Sequence, residues 1–362
     1  MIQIRFPFNG AVLTHRNGVQ DAESLTIKVK GTAPVDAVVK MNGVLAERRG
    51  DIFIAPVRIT KFETEITAEA EGCRGAASHT VKVVWDKYSC KRFRISIDDN
   101  SFFMRDLFNQ RPKYINDNFY LSRLKKLHDE FGAKFTLNLF YETPEKEFNL
   151  SMFPTDWKSQ FEDNAEWMRL TWHAYNEFPD RPYQYATAEK VALDFDLIHS
   201  EVVRFAGERA WAPPTIVHWG ELPPSLFPVL YARGVRALSG YFQKSGQRYA
   251  VSYGIDESRC AYLSGHDALM DFASGICLSK IDIIVNCTPI ENIVPTLQPN
   301  IDDEDNGEYI DILTHEQYFW PFYFNYIPDH VARMETALRF VTEHGYKPVF
   351  QHEGFRGVPK AD

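Results

Sequence analysis

The chain predicts two architectures in series: a small all-β sandwich over residues 1–88, and an α/β barrel over residues 89–362. Three observations carry this. Residues 10–86 hold short alternating runs separated by turn signals, as antiparallel strands require. After residue 90, β-type runs and amphipathic helical patterns alternate, and about seven or eight such βα units fit the remaining length, which favours a closed barrel over an open sheet. Several of these later β-runs stop on ionisable side chains, at the strand ends where α/β barrels keep their chemistry.

The composition limits the function. With 44% hydrophobic and 14% aromatic residues, 362 residues can bury a sizeable core. Forty Lys and Arg against 49 Asp and Glu give a net charge of −9 with no basic run. This argues against a nucleic-acid partner and against an anionic membrane surface. No stretch approaches the ~18–20 apolar residues of a spanning helix, so no membrane insertion is expected. Met1 to Pro7 lacks an apolar signal-peptide core. The five cysteines (Cys73, Cys90, Cys260, Cys277, Cys287) are odd in number, scattered and free of any CxxC. Neither a disulfide framework nor a zinc knuckle is indicated, and a cytoplasmic location is expected. The alternative is a secreted or periplasmic protein whose signal lies outside this sequence.

In the first region, Ser24 to Lys30 alternates strictly, Asn42-Gly43 marks a tight hairpin, and Ile52-Phe53-Ile54, Glu65 to Ala68 and Thr80 to Trp85 follow as strands. In the second, Arg94 to Ile97 forms a strand that ends on Asp98-Asp99-Asn100. Tyr120, Leu121, Leu124, Leu127 and Phe131 share a helix face that ends at Gly132, and Lys134 to Phe140 is the next strand. Asp156 to Met168 reads as a helix and Arg169 to His173 as a strand. A long helix from Thr187 turns Val191, Phe195, Ile198, Val202 and Phe205 inward. Thr215 to Trp219 and Val235 to Leu238 read as strands, and the segment 243–274 as a hairpin insertion that includes Cys260 to Leu263. Lys280 to Val285 and Tyr309 to Leu313 are the late strands, and Asp329 caps a final helix.

Adjacent acids at a strand end suit one carboxylate that binds a cation and one that moves protons, because the cation relieves their repulsion. Taken alone, Asp98-Asp99-Asn100 also reads as a turn or a helix cap. His173 ends its strand, and on a chain that stays extended Tyr175 and Glu177 point the same way, so His173 and Glu177 together can grip a metal ion. His315 ends the Ile312-Leu313-Thr314 run and can donate a proton near neutral pH. Tyr141-Glu142, His218-Trp219-Gly220-Glu221, Tyr241 and Phe242 follow strands and can line a sugar cleft or pack the rim. His266-Asp267 and His352-Glu353 read as surface or supporting positions. Asp302 to Asp305 lacks the spacing of an EF-hand. Gly-rich phosphate loops and a G-x-S-x-G elbow are absent.

The ordered set of Asp98-Asp99, His173 and Leu313-Thr314-His315 resembles the polysaccharide deacetylase family (the NodB-homology, carbohydrate esterase family four domain) over roughly residues 90–355. The first region resembles bacterial immunoglobulin-like modules in pattern alone. The resemblance implies an irregular (β/α)7-type barrel and metal-dependent removal of an N- or O-acyl group from a carbohydrate. By it, Asp98 is the general base, His315 the general acid, and Asp99, His173 and the residue at Glu177 the ligands of a divalent metal. Zn²⁺ leads, with Mn²⁺, Fe²⁺ or Mg²⁺ behind. Two departures stand out: the family's second histidine is Glu177 here, and its arginine is Ala212, beside Pro213-Pro214, with Arg209 a candidate substitute. An anionic Glu177 on the metal would leave bound water less acidified. The alternatives are a glycoside hydrolase pairing Asp98 or Asp99 with Glu177 or Glu142, and a carbohydrate-binding or assembly protein with a degraded metal site. The expected partner is an acylated carbohydrate; the oligomeric state stays open.

Overall fold

The computed structural model describes residues 1–72 and 75–354. Cys73 and the last residues of the second region, 355–362, lie outside them. The chain is mixed α/β and forms two compact units, one of Met1–Cys90 with Ala268–Ala273, the other of Lys91–Asp267 with residues 274–354. Among the described residues no helix is long and apolar enough to cross a membrane.

The first unit contains two five-stranded sheets. One orders Gln3–Phe6, Leu25–Thr32, Ile52–Ile59 and Glu47–Arg49, with Gly18–Gln20 also paired to Leu25–Thr32. The other orders Val12–Leu13, Gly75–Trp85, Glu63–Gly72, Val38–Met41 and Val44–Leu45. Pairing is antiparallel except between Val12–Leu13 and Gly75–Trp85. Asn42 and Gly43 take φ of 45° and 82° between strands paired Met41 to Val44, the two-residue turn whose twist suits a hairpin. Leu25, Ile27, Val29, Phe53, Ala55 and Val57 alternate inward with less buried neighbours, which are polar in Leu25–Thr32 (Thr26, Lys28, Lys30) and mostly apolar in Ile52–Ile59, so each strand buries one apolar face.

The second unit is built on parallel strands. These are β1 (Arg92–Asn100), β2 (Phe135–Phe140), β3 (Met168–Ala174), β4 (Ala237–Gly240), β5 (Ile276–Lys280), β6 (Ile283–Ile284) and β7 (Tyr309–His315). One ladder runs β3-β2-β1-β7-β6, with Lys347–Pro348 added beside β1, and β4 pairs with β5 in another. The helices are α1 (Phe102–Gln110), α2 (Phe119–Phe131), α3 (Lys158–Asp163), α4 (Ala188–Ala206), α5 (Phe227–Tyr231), α6 (Glu257–Leu263), α7 (Ile293–Asp302) and α8 (His330–Glu343). Asn118 caps α2 by accepting the amides of Tyr120 and Leu121, and Gly132 closes it at φ 68°. Thr187 caps α4, whose Val191, Phe195, Ile198, Val202 and Phe205 are all buried.

Among the described residues no continuous ladder closes a barrel, and the gap between β3 and β4 falls at residues 211–219. Pro213 and Pro214 have no amide to donate, so the strand expected at Thr215 to Trp219 does not form. Isolated bonds from Ala212 N–H to Leu170 and from Ser239 N–H to Thr215 stand there instead, and His218–Gly220 forms a 3₁₀ turn. Two further expectations are corrected. Cys260 to Leu263 belongs to a helix because Asp256 caps it, accepting the Arg259 amide at 3.0 Å. The helix read from Asp156 to Met168 shortens to α3, because Met168 opens β3.

Candidate metal centre and active site

β1 delivers both of its acids to one place through a break in its register. Side chains at adjacent strand positions normally point to opposite faces. Between Ile97 and Asn100 the pairing with β2 shifts, and Asp99 takes a left-handed φ of 62°. This bulge lets Asp98 and Asp99 line the same cavity of about 330 Å³. In register beside Asp98 stands His315, the last residue of β7, and His173 arrives near the end of β3. All four line the cavity, together with Glu177, Asp180, His218, Trp219, Gln317 and Tyr318.

Asp98 is held from below. Its Oδ1 accepts Ser96 Oγ at 3.0 Å and Asn138 Nδ2 at 2.5 Å, and Asn138 also donates to Ser96 Oγ at 2.7 Å. These bonds hold the Asp98 carboxylate in one orientation, and Ala212, where the resemblance expects an arginine, has no side-chain donor to offer. Arg209 is exposed, and its carbonyl accepts from Arg169; it is not among the residues that line the cavity.

Asp99 faces two imidazoles. Its Oδ1 is 3.2 Å from His173 Nε2 and 3.3 Å from His218 Nδ1, and those two nitrogens are 3.1 Å apart. His173 Nδ1 lies 3.2 Å from the carbonyl of Ile216, to which it donates, so Nε2 turns a lone pair to the cluster. Burial acts to raise the Asp99 carboxyl, but its contacts with His173 and His218 outweigh it and hold the group well below the usual carboxylate range. Burial acts to lower His173, and the charges of Asp98 and Asp99 outweigh it and raise that imidazole. Gln317 Nε2 donates to the other oxygen, Asp99 Oδ2, at 3.0 Å. Oδ1 is buried without a well-aligned donor. A buried acceptor beside two imidazole nitrogens is the condition a cation relieves. Among the described residues, Asp99, His173 and His218 form the one cluster suited to hold a metal ion.

Glu177 is not part of that cluster. β3 ends at Ala174 and the chain turns, so the extended run from His173 to Glu177 is not realised. Glu177 lines the cavity, its carboxyl pushed up to about 7 by burial and by repulsion from Asp99, Glu145 and Asp180. The neighbour that sequence reasoning placed in a sugar cleft or in rim packing is His218. Its signal was its place after an interrupted β-run, which no spacing rule links to Asp99.

His315 Nδ1 lies 2.9 Å from Asn286 Oδ1, which can only accept, so Nδ1 carries a proton and Nε2 is the nitrogen left for exchange. Asn286 Oδ1 also accepts Thr314 Oγ1 at 3.3 Å, and Thr314 Oγ1 meets His330 Nε2 at 2.6 Å. The next residue, Glu316, accepts the amides of Ser101, Phe102 and Phe103 at 2.7, 2.9 and 2.6 Å. One carboxylate thus caps α1 and ties the end of β7 to the end of β1. His315, Glu316 and Gln317 therefore serve the cavity, the helix cap and Asp99 in turn.

No protein-family model matches the chain, and no curated protein sequence matches it. Among solved structures it is similar to the Bc1960 peptidoglycan N-acetylglucosamine deacetylase, at 11% identity over 72% of this chain and 86% of that one, with a TM-score of 0.37. It is also similar to a Bacteroides ovatus xyloglucanase, at 11% identity over 94% of this chain and 100% of that one, TM-score 0.32. A modular endo-β-1,4-mannanase from Cellulomonas fimi shares 18% identity over 24% of this chain and 18% of its own, TM-score 0.16. At these TM-scores none of the three assigns a family or an activity.

Proposed function

We propose that this cavity is the active site of a metal-dependent hydrolase that removes an N- or O-acyl group from a carbohydrate. The observation that carries the reading is the triangle of Asp99 Oδ1, His173 Nε2 and His218 Nδ1, with sides of 3.1 to 3.3 Å. Ligand atoms about 2.0–2.1 Å from a tetrahedral zinc ion stand roughly 3.3–3.4 Å from one another, so the triangle matches one face of such a shell. Two imidazoles and one carboxylate suit Zn²⁺ best, ahead of Mn²⁺, Fe²⁺ or Mg²⁺. A divalent ion with Asp99 alone as its anionic ligand keeps one net positive charge, which removes the weakening of bound water expected from Glu177.

When bound, the ion supplies Lewis-acid polarisation of the acyl carbonyl and a more acidic water. The chain supplies the rest. Asp98, fixed by Ser96 and Asn138, is placed to take the proton of the attacking water. His315, its Nδ1–H held by Asn286, gives a proton from Nε2 to the departing amine or alcohol when its ring is doubly protonated, and is left as the neutral Nδ1–H form. A glycoside hydrolase would need two carboxylates facing across open space. Asp99 Oδ1 faces two imidazoles instead, and Glu142 accepts Asn176 Nδ2 at 2.7 Å.

Elemental analysis of protein purified without a histidine tag or chelator tests the reading. About one equivalent of transition metal is expected in the wild type, absent from Asp99→Ala, His173→Ala and His218→Ala, with acetate released from acetylated oligosaccharides by the wild type alone. A wild type that stays metal-free when Zn²⁺ and Mn²⁺ are supplied would overturn it and favour a carbohydrate-binding role.

A further inference from the structure

Backbone strain, exposure and the cavity meet at Trp219. Its φ is 64° and that of Gly220 is 58°. Glycine adopts such angles freely, whereas a bulky side chain there is a genuine outlier under backbone strain. The strained residue follows His218 directly and lines the cavity, yet it is 43% exposed. From another loop Arg181, itself at φ 54°, sets its guanidinium over the indole, 4.8 Å from the ring centre. Arg181 Nε lies 3.9 Å from Glu221 Oε1, so the cation on that face is partly balanced. The indole thus has a guanidinium over its ring, while the residue is both partly exposed and part of the cavity lining.

The cavity lining defines what the open surface can receive. Asp98, Asp99, Glu177 and Asp180 contribute carboxyl groups, and no lysine or arginine is among the lining residues. Even with a divalent ion held by Asp99, and with Glu177 pushed up to about 7, Asp98 and Asp180 leave this wall acidic, so it disfavours phosphates and carboxylated ligands and accepts hydrogen bonds from hydroxyls. A neutral pyranose offers both matching surfaces, a C–H face for the indole and hydroxyls at its edge for the carboxyl groups.

We propose that Trp219, braced by Arg181, is a stacking subsite for a neutral pyranose ring of an uncharged glycan. The assignment rests on the hydrolase reading only for where the acyl group would lie. The strained backbone at Trp219 persists because it carries the indole to the cavity.

Calorimetric titration of the metal-loaded protein with N-acetylchitotetraose, cellotetraose and tetragalacturonate tests this. The wild type is expected to bind the two neutral glycans in preference to the acidic one. Trp219→Ala and Trp219→Gly should each weaken that binding about tenfold or more, and Trp219→Phe should stay within about threefold of wild type. Metal content should be unchanged in all three. Trp219→Gly should melt at or above the wild-type temperature, because it relieves the left-handed φ while losing the ligand. Equal affinities in the wild type and both truncations, or preference for tetragalacturonate, would overturn the subsite. A wild type that holds its metal but binds neither neutral glycan would also overturn it and leave the hydrolase reading standing. A metal-free wild type that still loses glycan binding on truncation would retain the subsite and remove the hydrolase.

Discussion

The strands of the first unit and β1 of the second use burial in opposite ways. Leu25–Thr32 and Ile52–Ile59 bury alternate positions, and what they turn inward is apolar. β1 is buried along its whole length although six of its nine residues are polar or charged. Burying such groups without partners would cost several kcal/mol each, so each needs a reason. Arg94 pairs with Asp311 at 2.8 Å, Ser96 and Asn138 hold Asp98, and Asn100 accepts Tyr120 Oη at 2.9 Å. Asp99 Oδ1, facing two imidazoles, lacks such a donor. In a half-buried strand the residue type tells where the residue sits. In a fully buried one a polar residue tells what it is bound to, and an unpartnered one marks a site.

The contrast breaks most visibly in the metal-site variants. Asp99→Ala, His173→Ala and His218→Ala should each lose the metal and on the order of 10³-fold or more of acyl-release activity, with far-UV circular dichroism unchanged. If His218→Ala keeps both metal and activity, the cluster is not the metal site. Phe53→Ala, in the first unit's core, should do the reverse. Removing a fully buried phenylalanine costs about 3–5 kcal/mol, read as a lower urea midpoint, and should leave the metal content of the folded protein alone. Gln317→Leu comes next: without the donor on Asp99 Oδ2, zinc affinity measured by chelator competition should fall about 10- to 100-fold. An affinity within twofold of wild type would show that Gln317 does not position Asp99.

A further effect concerns pH. Burial pushes the His330 imidazole down to about 3, below its ordinary value near 6.5. Between those values the unfolded chain binds a proton that the folded one refuses, so the stability His330 contributes is present above about pH 6.5 and is lost as pH falls toward 3. Urea midpoints across that window should fall more steeply in the wild type than in His330→Gln. Equal slopes would remove His330 from the account.

Much of this was written locally. Strict alternation and the Asn42-Gly43 turn determine the strands of the first unit, since residue-by-residue burial needs only a period of two. The helix face of Val191, Phe195, Ile198, Val202 and Phe205 is equally local, and so is the placing of Asp98-Asp99, His173 and His315 at or near the ends of β1, β3 and β7, where each β-type run gives out. What needed the tertiary structure depends on partners far along the chain or on torsions without a periodic signature. The bulge that turns Asp98 and Asp99 to one cavity is set by pairing with β2, Gln317 meets Asp99 across 218 positions, and the prolines before Thr215 fall in the gap between β3 and β4. His218 joins the cluster from an irregular turn in which Trp219 takes a left-handed φ. A ligand four residues from His173 looked sufficient in sequence, but side chains converge through space, and the imidazole that arrives beside Asp99 comes from 45 residues away.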